Sequence, residues 1–136
     1  MSKENGIWPA AGHAIYRNLN AAMIKAGWHD CKNAFTYFSF INAYQRPAEY
    51  GQSIKAAEQD IRLSQRILEQ TISILKPAEI IFVSAKAFKR FSLSIDLKTH
   101  CIPHPASIWW NRHSKKYCGT GQQRFVDRLR ISKSVM

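Results

Sequence analysis

Hydrophobic residues recur along this chain at steps of three and four, then in short unbroken runs, then at helical steps again. Between Gly12 and Gly27, the residues Ile15, Leu19, Ala22, Met23 and Ala26 share one helical face, and Gly27 supplies a left-handed C-terminal cap. The aromatic run from Phe35 to Ile41, bounded by Asn33 and Asn42, predicts a strand. A long helix is expected to start after Ser53, a good N-cap, with Ile54, Ala57, Ile61, Leu68, Ile72 and Leu75 as its apolar stripe. Pro77 disfavours a helical residue before it, so this helix should stop at Lys76. Glu79 to Ser84 is a short apolar run without alternation, the pattern of a parallel strand covered on both faces. Ala85 to Phe91 predicts a short helix and Thr99 to Ile102 a last strand. Gln122 to Leu129 predicts a closing helix, with Phe125, Val126 and Leu129 on one face.

Helix and strand alternate in this reading, which implies a parallel α/β sheet with helices on both faces. No repeat, low-complexity stretch or Pro/Gly-rich linker divides the chain, so residues 1–136 are expected to form a single domain. Ligands of such sheets bind at the carboxyl ends of the strands. The loops after Ile41, Ser84 and Ile102 leave those ends, and the first and third carry the most unusual chemistry.

Composition supports a packed core, with 46% hydrophobic residues among 136. No apolar run approaches the roughly 18 residues of a membrane-spanning helix. Trp8, Pro9 and His13 interrupt the place where a secretory signal needs apolar residues, so a soluble cytoplasmic protein is expected. Charge changes the picture more. There are 20 Lys and Arg against 9 Asp and Glu, a net of +11. Residues 1–85 hold 9 basic and 7 acidic residues, whereas residues 86–136 hold 11 basic residues and only Asp96 and Asp127 as acids. Such asymmetry suggests an anionic partner, most often nucleic acid, or else a solvated basic face that serves solubility. Cys31, Cys101 and Cys118 form no Cys-x-x-Cys pair, which indicates neither a disulfide framework nor an iron–sulfur cluster.

The loop Ile102-Pro103-His104-Pro105-Ala106-Ser107-Ile108-Trp109-Trp110-Asn111-Arg112 concentrates the chemistry. Two prolines hold the backbone of His104 extended, so its imidazole can be aimed with little further loss of entropy. Ile108, Trp109 and Trp110 put bulky apolar groups where a loop normally presents polar ones, and Arg112, Lys115 and Lys116 follow. An apolar wedge with a basic flank suits prying at stacked bases while holding phosphates. The competing reading is that the tryptophans cover the edge of the core. Likewise His104 can bond the backbone of its own loop, and Asn42 can be a turn residue.

Ile102-Pro103-His104-Pro105-Ala106-Ser107 followed by Trp110-Asn111-Arg112 resembles the His-Pro-Ser/Ala motif of the uracil-DNA glycosylase superfamily. Leu75-Lys76-Pro77 leading into Glu79 to Ser84 is similar to that family's buried third strand. Phe40-Ile41-Asn42 with Arg46-Pro47 is similar to its second strand and the segment after it, and Gly6-Ile7-Trp8-Pro9 looks like the Gly-x-Pro stretch before its first helix. The resemblance implies a three-layer α/β/α fold with a small parallel sheet, and a DNA partner. His104 would donate a hydrogen bond to the carbonyl oxygen of a flipped base and stabilise the anion that leaves. Asn42 would read the edge of the base, with Trp8 as a stacking partner. Ser107 and Arg112 would hold phosphate, and Ile108 or Trp109 would fill the gap left by the base.

The family's first strand and its water-activating motif would precede Gly6, where only Met1-Ser2-Lys3-Glu4-Asn5 stands. The expectation is a sheet lacking that strand, with loss of catalytic rate or with dimerisation through an unpaired edge. A DNA-binding module without the chemistry is the alternative. Cys101, His104, His113 and Cys118 have spacings compatible with zinc, but prolines and tryptophans between them suit a base pocket better, so no metal or cofactor is expected. No nucleophile elbow and no P-loop occurs, since Gly119-Thr120-Gly121 is not followed by Gly-Lys-Ser/Thr.

Overall fold

A computed structural model of the chain describes residues 14–28, 38–44 and 57–135. Their elements are helix α1 (Ala14–Lys25), helix α2 (Glu58–Leu75), strand β1 (Glu79–Phe82), helix α3 (Ala85–Phe91), strand β2 (Lys98–Cys101) and helix α4 (Gly121–Ser134). Single 3₁₀ turns lie at Ser92–Ser94 and Ile108–Trp110. The fold mixes helix with a small two-stranded parallel sheet, β1 beside β2, joined through α3 as a parallel pair requires a crossover. No described helix is long and apolar enough to cross a membrane.

The chain divides into two compact units that interleave in sequence: residues 1–39, 83–85 and 101–136 in the first, and 40–82 and 86–100 in the second. In the first unit α1 packs against α4. Leu19, Ala22 and Met23 from α1 are buried, as are Phe125, Val126 and Leu129 from α4, together with Ile102 and Trp110. The helical spacing of both sets is the reason they can meet along one seam. Trp28 Nε1 donates to Leu129 O at 2.9 Å, tying the end of α1 to α4. In the second unit Phe82, Ala87 and Phe91 form the core, with Tyr44, Ile61, Leu68 and Phe88 packed around it.

The helix ends follow local chemistry. Gly27 sits at φ 92°. Its N–H reaches Ile24 O at 2.9 Å while Trp28 N–H reaches Met23 O at 3.0 Å, the paired bonds of a Schellman cap. Lys76 closes α2 at φ 47° and ψ 56°, with Pro77 next in sequence. At the other end of α2 the expectation changes. Ala57 has extended backbone and the helix begins at Glu58. The N–H of Ala57 donates to Asp60 Oδ2 at 2.9 Å, so a carboxylate three residues into the helix does the capping expected of Ser53. Ser53 and Ile54 lie outside the described residues.

Two strand expectations are corrected. Phe38 to Ile41 forms no ladder among the described residues, and Phe35 to Tyr37 lie outside them. Phe38 instead packs edge-on against Trp28, with ring centroids 5.3 Å apart, while Phe40 and Ile41 are exposed. Glu79 to Ser84 forms a strand only as far as Phe82, and its residues are half-buried apart from Phe82. A sheet with one described neighbour strand leaves this run partly open, rather than covered on both faces.

Candidate nucleic-acid interface

Strand β2 ends at Cys101, and buried Ile102 leads into Pro103-His104-Pro105 in the first unit. Ser107 N–H donates to His104 O at 2.9 Å, closing a turn with Pro105 at its second position, where a fixed φ is favourable. Pro105 is among the most deeply buried residues, and its carbonyl accepts from Asn18 Nδ2 of α1 at 2.9 Å. The loop is therefore pinned to a helix, and the imidazole of His104 stands on a fixed base.

His104 does bond its own loop: Nδ1 accepts the N–H of Ala106 at 3.1 Å. With Nδ1 held as an acceptor, the proton of the neutral ring resides on Nε2. Burial pushes the imidazole pKa below its ordinary value, favouring that neutral form. The outcome is a hydrogen-bond donor at Nε2 that is uncharged at neutral pH.

The next residues split by exposure. Trp110 N–H bonds Ser107 O at 3.2 Å and starts a 3₁₀ turn. That turn sends Trp110 inward, 2% exposed, against Phe125 at 5.8 Å between ring centroids. Ile108 and Trp109 are sent outward, 64% and 46% exposed. Core coverage thus accounts for Trp110 but not for its neighbour. The Arg112 guanidinium stands 5.7 Å from the centroid of the Trp109 ring, a cation–π pairing in which the side chain stays on the surface. The N–H of Ser107 is engaged in the turn, and its Oγ is shielded from solvent without a hydrogen-bond partner among the described residues.

Lys115 and Lys116 lie exposed in a tight hairpin held by reciprocal bonds between Ser114 and Gly119, at 2.9 and 3.3 Å. Cys118 takes φ 55° to complete that turn. The hairpin presents Tyr117, a residue the sequence reading passed over. The Arg124 guanidinium lies 4.0 Å from its ring centroid, and Lys116 Nζ lies 5.3 Å from it. Arg124 is also held by Cys101 O, at 3.2 Å from Nη2. The signal was available: Lys115-Lys116-Tyr117 followed by Arg124 interleaves cations with an aromatic, as nucleic-acid-binding surfaces do.

Helix α4 seats this surface. Thr120 Oγ1 accepts from Gln123 N–H at 3.1 Å while Gln123 Oε1 accepts from Thr120 N–H at 2.9 Å, a complete capping box. A Cβ on Gly121 would come within 2.9 Å of Trp109 O and 3.1 Å of Pro103 Cγ, so only glycine lets the start of α4 approach the loop this closely.

Of the remaining expected site residues, Asn42 follows Ile41 as an exposed residue of the second unit. Trp8 lies outside the described residues, as do Gly6, Pro9, Arg46 and Pro47. The zinc alternative required Cys101, His104, His113 and Cys118 to converge, yet among the described residues no three His, Cys, Asp or Glu side chains gather to hold a metal. Burial raises the pKa of the Cys101 thiol, with partial relief from the nearby Arg124 charge, which keeps it a poor nucleophile.

The chain matches no family model, and comparison with curated proteins and with solved structures finds no match.

Proposed function

We propose that this chain is a uracil-DNA glycosylase-like protein that binds DNA and receives an extruded base against His104. The observation that carries the reading is the hydrogen-bond state of that imidazole. Ala106 N–H holds Nδ1 and burial favours the neutral ring, so Nε2 is a fixed, uncharged donor. Such a donor suits the carbonyl oxygen of a pyrimidine, where charge develops as the base leaves. Exposed Ile108 and Trp109 beside it are of the right kind to occupy the gap in the stack, and Arg112, Lys115 and Lys116 can neutralise phosphates. A three-layer α/β/α arrangement with a small parallel sheet belongs to the same proposal.

In the full reaction the C1′–N1 bond breaks, the base departs as an anion accepting a hydrogen bond from His104, and water adds to C1′, the proton it releases neutralising the departed base. That step calls for a group that orients the water. The described carboxylate of the same unit, Asp127, is exposed on α4 with Arg130 Nη1 3.9 Å away. A binding module without the hydrolysis is the second reading.

The test is a uracil-containing single-stranded oligodeoxynucleotide, read for abasic sites by alkaline cleavage and for affinity by fluorescence anisotropy. The glycosylase reading expects excision that falls about 10²-fold in His104→Gln. Binding with uracil left intact assigns the module. Absence of binding at low salt rejects both.

A further inference from the structure

The cationic surface of the first unit extends past the Trp109 loop along α4. The C-terminal end of α1, the Ser114–Gly119 hairpin and one face of α4 enclose an open cleft of about 480 Å³. Lys25, Tyr117, Cys118, Arg124, Asp127 and Arg130 are among its walls. Three cations against one carboxylate leave a net of +2 in a space several atoms wide. The charges are arranged by the fold. Arg130 Nη2 bonds Lys25 O at 3.4 Å and Arg130 Nη1 lies 3.9 Å from Asp127, so the exposed guanidinium is held between the end of α1 and α4. Arg124 is held from two sides, by Cys101 O and by the Tyr117 ring.

The geometry points to this cleft as a track for the phosphodiester backbone of single-stranded DNA, continuing the strand beyond the Trp109 loop. The inference rests on the DNA-binding reading above and extends its footprint. Adjacency supports it. Gly121 abuts the Trp109 carbonyl, while Gly119 and Gln123 on either side of it line the cleft. A strand with one base displaced at the loop therefore has cations waiting beside it. Chemistry supports it as well. A guanidinium held 4.0 Å from an aromatic centroid brings donors for a phosphate next to an apolar surface for a base, and Tyr117 is half exposed. An acidic peptide would use the charges but not the exposed part of the Tyr117 ring. A single strand uses both.

The experiment compares fluorescein-labelled oligodeoxythymidines of about 4 and about 12 nucleotides, a range that brackets the site of one small domain. Lys25→Gln and Arg130→Gln are measured beside the unaltered chain and Trp109→Ala, with circular dichroism melting to verify folding. Lys25 is exposed, so its variant retains the fold even if Arg130→Gln loosens the α1–α4 seam. Each phosphate contact on a single strand contributes about 0.7 to the slope of log K against log salt, or about fivefold in affinity at 0.1 M salt. Lys25→Gln is expected to weaken the long oligonucleotide by about fivefold, lower its slope by about 0.7, and leave the short one unchanged. An equal loss on both lengths, or no loss on either, overturns the track. Displacement of the long oligonucleotide by polyglutamate of matched charge as readily as by unlabelled DNA also overturns it, since that would mark a general polyanion surface. The underlying reading fails differently: Trp109→Ala would then bind both lengths as well as the unaltered chain does, whatever Lys25→Gln does.

Discussion

The Ala106 N–H and the His104 imidazole are two residues apart, and the 3.1 Å bond between them decides which ring nitrogen carries the proton. The two flanking prolines were legible in sequence as a device for holding His104. The direction in which it is held was not, because it depends on Asn18 of α1 reaching Pro105 O across 87 residues of chain. A consequence for pH follows. An imidazole with a lowered pKa binds fewer protons in the folded chain than in the unfolded one, where its value is near 6.5. Stability associated with His104 is therefore complete above pH 6.5 and declines as pH falls from there through the folded value. Below that value it levels off. Side-chain NMR titration of the five histidines is expected to place the His104 midpoint below 6.5, with Nε2 protonated in the neutral state. A midpoint at or above 6.5 would remove the basis for an uncharged donor.

Helices were the elements best written in the sequence: periodicity of three and four located α1, α2 and α4, although α4 runs on past the expected Leu129 to Ser134. Strands were less legible. The aromatic run of Phe35 to Ile41 satisfies strand propensity, but in its described part, Phe38 to Ile41, Phe38 packs on Trp28 and no ladder forms. Caps divide the same way. Gly27 could be read directly, whereas Lys76 at φ 47° could not, because nothing in a lysine announces left-handed backbone. The two positions make a matched prediction of opposite sign. Gly27→Ala introduces a Cβ at φ 92° and within 3.1 Å of Lys133 Nζ, and is expected to cost about 1–2 kcal/mol. Lys76→Gly removes a Cβ from the same kind of backbone and is expected to stabilise by up to about 1 kcal/mol. Urea unfolding of both variants checks the pair; equal signs would mean that these backbone conformations do not set the helix ends in solution.

Charge looked like a gradient along the chain, steepest over residues 86–136. In the folded molecule it sorts differently, because Lys86, Lys89, Arg90 and Lys98 belong to the second unit. That unit holds 9 basic and 6 acidic residues, a net of +3. The first holds 11 basic and 3 acidic residues, a net of +8, and contains the His104 loop, the hairpin and the α4 cleft. If net charge alone drew nucleic acid, removing any two cations would weaken binding alike, through long-range attraction that salt screens beyond about 10 Å. If contacts drive it, position decides. Lys115→Gln with Lys116→Gln and Lys89→Gln with Arg90→Gln change the net charge equally, and all four residues are exposed. The first pair is expected to lower affinity for single-stranded DNA by about 10- to 30-fold and the salt slope by about 1.4, two phosphate contacts' worth. The second pair is expected to slow association slightly and leave the slope in place. Anisotropy titrations across a salt series separate the two, and indistinguishable slopes would return the basic surface to a role in solubility.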